Sequence, residues 1–154
     1  MTVGFAPDFR GVLLVIAATL ANGLLAGASV LLAATIPTWR KLERSAALAT
    51  FRLLAPVQSI LLPALVIVSL GTALAASVIE STPPRILATA FLGLAVVFSV
   101  MSRRLVEQPL LAGPLDDGLV RLLLYRWGLL QKVRLFFVLV PFVLLVAEVA
   151  QTPL

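Results

Sequence analysis

Residues 11–39 read GVLLVIAATLANGLLAGASVLLAATIPTW, twenty-nine positions without a charged side chain. A helix needs about 20 mainly apolar residues to cross a hydrocarbon core about 30 Å thick, so this run can span a bilayer with room to tilt. It exceeds the roughly 7–15 apolar residues of a signal-peptide core and is expected to be retained. Two further charge-free runs extend from Leu53 to Ile79 and from Ile86 to Ser102, and a fourth starts at Leu135 and meets only Glu148. The runs predict spans at 11–36, 54–79, 84–102 and 133–150. The last is short by itself. Leu119 to Leu130 would extend it, with Lys132 and Arg134 snorkelling toward headgroups.

Composition supports the same solvent. Of 154 residues 61% are apolar and 12% charged, against about 25% charged in a soluble domain. Nineteen charged side chains, 12 Lys+Arg and 7 Asp+Glu, cannot coat a globule of this size, and the mean hydropathy is +1.11. The expected fold is all-α: a single integral membrane four-helix bundle over residues 1–154, with a short interfacial amphipathic helix between spans one and two.

The basic residues predict orientation. Arg40, Lys41, Arg44 and Arg52 flank the first connection, while Arg103, Arg104, Arg121, Arg126, Lys132 and Arg134 flank the third. Only Arg10 and Arg85 lie elsewhere. The positive-inside rule then puts both connections in the cytoplasm. Both termini and the Ser81–Thr82–Pro83–Pro84 turn are expected outside the cell (plasma or inner) membrane. Orientation also accounts for the net charge of +5, so nucleic acid is not an expected partner. Within the first connection, Trp39, Leu42, Ala46, Ala49 and Leu53 recur at three- and four-residue steps. Such a stripe suits a hairpin lying on headgroups and anchored by Trp39, or a docking surface for a partner. In the third connection, Gln108–Pro109 and Gly113–Pro114 are expected to break any helix.

The chain has no Cys and no His. It therefore lacks disulfides, CxxC redox pairs, the commonest metal ligand and the usual general base. No metal or cofactor is expected. The clues to function are the polar residues inside the apolar runs, because each must find a partner in hydrocarbon. Thr19, Asn22, Ala26, Ser29 and Ala33 share one face of span one, beside Gly23 and Gly27 in a GxxxG suited to close helix packing. Gln58, Ser69 and Thr72 share a face of span two, where Pro63 would free backbone carbonyls. Ahead of span four, Trp127, Leu130, Gln131 and Arg134 follow helical spacing, and Arg121, Tyr125, Gly128 and Lys132 form a second file. Arg134 with Gln131 and Trp127 would hold an anionic or phenolic oxygen against an aromatic wall if they face inward. If they face outward they anchor the helix end. Trp127, Gln131, Arg134, Tyr125, Lys132, Asn22 and Gln58 are the candidate ligand-binding residues, with Gly23 and Gly27 for packing.

Three motifs in order, Gly23-Leu24-Leu25-Ala26-Gly27, Ile36-Pro37 with Arg40-Lys41-Leu42, and Tyr125-Arg126-Trp127 followed by Gln131-Lys132-Val133-Arg134, resemble the anthrone oxygenase-like family of small four-helix membrane proteins. The resemblance covers roughly residues 11–147. It implies the four-helix fold and, from some fungal relatives, cofactor-free oxidation of anthrones to anthraquinones. Where the family shows an Asn-His pair, this chain has Gln131-Lys132; Trp127 and Arg134 carry over, whereas the histidine does not. A base for such chemistry would then be Lys132, with its pKa lowered by burial.

Two functional expectations follow. The first is a membrane-embedded scaffold or accessory subunit of a larger complex or a homo-oligomer, or a binder of lipid or another apolar small molecule. The second is a cofactor-independent oxygenase of a hydrophobic aromatic.

Overall fold

The computed structural model describes residues 9–39, 41–113 and 115–151, which are helical except at short turns. Arg40 and Pro114, counted above among the basic residues and helix breakers, lie outside the described residues. Helix α1 is Phe9–Trp39. Helix α2, Arg44–Pro56, runs through a wide π turn at Val57–Leu61 into α3, Leu62–Ile79. Helix α4, Pro83–Ser102, passes through a second π turn at Arg103–Glu107 into the short α5, Gln108–Leu111. Helix α6 is Asp117–Gln151. Four stretches are long and apolar enough to cross a membrane: Arg10–Trp39, Gln58–Ile79, Pro83–Leu111 and Asp117–Gln151.

Two boundaries depart from expectation, each for a local reason. Proline was expected to end the helix at Gln108–Pro109, but the chain stays helical to Leu111. A proline ring crowds the carbonyl four residues back and offers it no N–H. Here the backbone accommodates that by widening into π geometry, as it does before Pro63; each π turn ends two residues ahead of its proline. Helix runs unbroken from α2 through the first π turn into α3, so the expected start at 54 lies within continuous helix. The fourth helix begins at Asp117, sixteen residues before 133. Asp117 suits the positive end of a helix dipole, and Arg121, Arg126 and Lys132 remain on the exposed surface, where their charge does not interrupt the helix.

Helices α1, α3, α4 and α6 form a closed ring of neighbours, with α1 and α4 each packed between α3 and α6. Their directions alternate. Gly11 at the start of α1 meets Ile79 at the end of α3, and Arg85 at the start of α4 meets Glu148 near the end of α6. One end of the bundle thus carries the start of α1, the end of α6 and the 80–82 turn, and the other carries the two long connections. Leu25, Val66, Leu92 and Val138 fill the middle. Ala18, Ala88 and Leu145 fill the terminal end, where small residues allow close helix approach.

A clasp of charges closes the terminal end. Arg85, 5% exposed, donates from Nε to Glu148 Oε1 at 2.7 Å and pairs through Nη2 with Glu80 Oε2 at 3.0 Å. Its Nη1 donates to the carbonyls of Ala76 and Glu80 at 3.2 and 3.3 Å. Thr82 Oγ1 also donates to Glu148 Oε1, at 3.1 Å. The clasp ties the α3–α4 turn to α6.

At the connection end, Leu42, Ala46, Ala49 and Leu53 present their expected apolar stripe outward. Trp39 does not join them. Its indole is buried and stacks on Trp127, centroids 5.1 Å apart at an interplanar angle of 6°. Phe51 from α2 stands edge-on to both rings, at 5.6 Å from Trp127 and 6.5 Å from Trp39. Burying three aromatic rings against one another outweighs leaving Trp39 at a headgroup boundary.

Candidate functional site

One turn of α6 beyond this aromatic cluster lies a group of buried polar side chains. Helical spacing puts Trp127, Gln131 and Arg134 on the inner face of α6, and all three are buried. Gln131 Nε2 donates to Ser102 Oγ at 3.4 Å, across to α4. Ser102 Oγ in turn donates to Glu107 Oε1 at 3.1 Å. Glu107 lies in the second π turn and acts electrostatically on Arg134. Gln58, in the first π turn, lines the same cavity as Glu107, a space of about 180 Å³ that also touches Arg103 and Phe51. The two proline-induced π turns thus bring Gln58 and Glu107 to one chamber.

The cavity lining and the α6 side chains joined to it through Ser102 and Glu107, together the chamber, are rich in unmet hydrogen-bonding capacity. Arg134 is 4% exposed, and its Nε and Nη2 have no partner among the described residues. The same is true of Trp127 Nε1, Gln131 Oε1 and both amide atoms of Gln58. A neutral polar group buried without a partner costs roughly 1–3 kcal/mol, and a charged one more. Such a set is expensive to keep inside an apolar bundle. Its donors are of kinds that suit an oxygen-bearing group: a planar guanidinium, which binds two oxygens in its plane, an indole N–H, and carboxamides that both give and accept.

The structure divides the remaining candidates. Asn22 is buried one turn further along the bundle, where Nδ2 donates to the Val138 carbonyl at 3.4 Å and Oδ1 has no partner among the described residues. Ser69 is buried as expected, while Thr72 is half-buried and turns its hydroxyl back onto the carbonyls of Val68 and Ser69. Tyr125 and Lys132 lie on the exposed side of α6. Tyr125 borders a different hollow, of about 500 Å³, with Lys41, Glu43 and Arg121. Gly23 packs closely, since a Cβ there would stand 3.1 Å from Phe142 Cε2. Gly27 is exposed and a Cβ would meet nothing within 4 Å, so its half of the expected packing face is unused within the chain.

Sequence reading missed Ser102, Glu107 and Phe51. Glu107 stands next to the Gln108–Pro109 pair, which reads only as a helix breaker. The available signal was the carboxylate itself, two residues before a proline, at the end of a long apolar run.

No family model, curated protein or solved structure matches the chain. The class of protein that fold and site define is an all-helical bundle with four membrane-length helices and a buried, donor-rich polar chamber at one end.

Proposed function

We propose that this chain is an integral protein of the cell membrane that binds the polar head of a membrane-borne small molecule in the chamber around Arg134. The observation that carries this reading is the buried guanidinium whose Nε and Nη2 are unpartnered beside the unpartnered Trp127 Nε1 and Gln131 Oε1. A residue serving only to anchor a helix end reaches water or headgroups; Arg134 is 4% exposed. With the connections cytoplasmic, the chamber lies toward the cytoplasmic face.

The experiment is gentle purification in detergent followed by mass spectrometry of co-purifying small molecules, for wild type, Arg134→Ala and Arg134→Lys. Both substitutions should lose the ligand, at least tenfold, because a guanidinium–anion pair contributes roughly 1.5–3 kcal/mol and the planar fork is not replaced by an ammonium. Wild-type retention by Arg134→Lys would return Arg134 to the role of an anchor. A stoichiometric protein partner in the wild-type preparation, with no small molecule, would favour the accessory-subunit reading. The oxygenase suggested by the family resemblance needs a base beside its substrate. Since Lys132 is exposed on the other side of α6, that task would pass to Glu107.

A further inference from the structure

A second cavity, of about 240 Å³, lies on the outer surface between α1 and the α2–α3 run. Its walls are Ala28, Leu31, Leu32 and Thr35 on one side and Leu54 and Leu62 on the other. Thr35 returns its hydroxyl to the Leu32 carbonyl at 2.7 Å, so the walls act as hydrocarbon. Leu31, 72% exposed, puts the rim on a face that meets lipid in a membrane. The exception to this apolar lining is Gln58. It is 5% exposed, and neither its Oε1 nor its Nε2 has a partner among the described residues. Gln58 also borders the chamber with Glu107. One buried carboxamide therefore stands between an apolar cleft and a polar one.

A primary carboxamide in this state matches a head that offers a donor and an acceptor side by side. The volume is below the roughly 300–1,000 Å³ of pockets for drug-sized ligands, which suits one narrow hydrocarbon chain and not a two-chain lipid. We propose that the cleft admits, directly from the bilayer, a single-chain amphiphile with a protonated carboxyl or primary amide head, which pairs with Gln58 while its chain lies along Leu31, Leu32 and Leu62. This rests on the reading of the chain as a binder of a membrane-borne small molecule, and adds the chemical class and the route.

The test uses the full chain in lipid nanodiscs and palmitic acid bearing a diazirine in its chain. Photolabelling should map to Leu31, Leu32 or Leu62, and both palmitic acid and palmitamide should compete while hexadecane does not. Gln58→Leu should cut labelling about tenfold or more, the equivalent of two neutral hydrogen bonds. Its Tm should be unchanged or higher, because an unsatisfied buried amide is exchanged for an apolar side chain of similar shape. Thr35→Trp, at the exposed rim, should block labelling without touching the core. Competition by hexadecane, or undiminished labelling in Gln58→Leu, overturns the proposal. Loss of labelling in Arg134→Ala with both cleft variants labelled as wild type leaves the Arg134 site standing and overturns the cleft. The reverse pattern supports the cleft and moves the head away from Arg134.

Discussion

Gly23 and Gly27 stand about one helical turn apart on α1 and meet different surroundings. A side chain at Gly23 would press on the Phe142 ring, whereas one at Gly27 meets open space. Overpacking a filled interior costs about 1–3 kcal/mol, so Gly23→Leu should lower Tm in detergent clearly. Gly27→Leu should stay within about 0.5 kcal/mol of wild type. Equal losses for the two variants would contradict this packing. The same contrast shows what local spacing encodes. Trp127, Gln131 and Arg134 were legible as one face, because steps of four and three residues put side chains on one side of any helix. Which side faces inward was not, and a GxxxG reads identically whether one glycine packs or both do. Ser102 and Glu107 were illegible as site residues because Gln131 reaches the pair from another helix, across 29 positions of chain.

At the level of elements, the two π turns decide where polar groups point. Pro109 widens the backbone at Arg103–Glu107, and the widened turn presents Glu107 to Ser102 at 3.1 Å. Pro109→Ala restores the missing N–H and removes the ring, which allows a regular helix and rotates Glu107 away from the chamber. A hydrogen bond to a charged group contributes roughly 1.5–3 kcal/mol. Far-UV circular dichroism should therefore be unchanged, while ligand retention falls about tenfold or more. Unchanged retention would mean that the turn does not position the site. The existence of four apolar helices was readable from runs free of charge. Their ends were less so, since a helix continues past exposed Arg126 and Lys132 as readily as past leucine, and two prolines bend the backbone without stopping it.

For the molecule as a whole, the lengths and charges of the helices are unequal in a way that bears on orientation. Helix α6 has 35 residues and is about 52 Å long at about 1.5 Å per residue, well beyond a hydrocarbon core of about 30 Å. The excess falls at the connection end, where Lys41, Arg52, Arg103, Arg104, Arg121, Arg126 and Lys132 are exposed. At the terminal end Arg10 is exposed, and Arg85 is enclosed by Glu148 and Glu80. Burial of Arg85 sharpens the charge asymmetry that sequence counting had already suggested. A reporter fused to the C-terminus should accordingly be active only in its extracytoplasmic form. Activity from a cytoplasmic reporter at that position would reject the orientation.

The pairing of Arg85 with Glu148 spans 63 positions of chain, and this has a consequence for biosynthesis. A ribosome delivers Arg85 long before it delivers the carboxylate that neutralises it. Until the last helix arrives, the guanidinium has only Glu80 and two carbonyls of its own hairpin to hold it. Truncation before Glu148 therefore leaves Arg85 without its shortest ion pair, the 2.7 Å contact to Oε1. The tie between the α3–α4 turn and α6 closes only once α6 is in place.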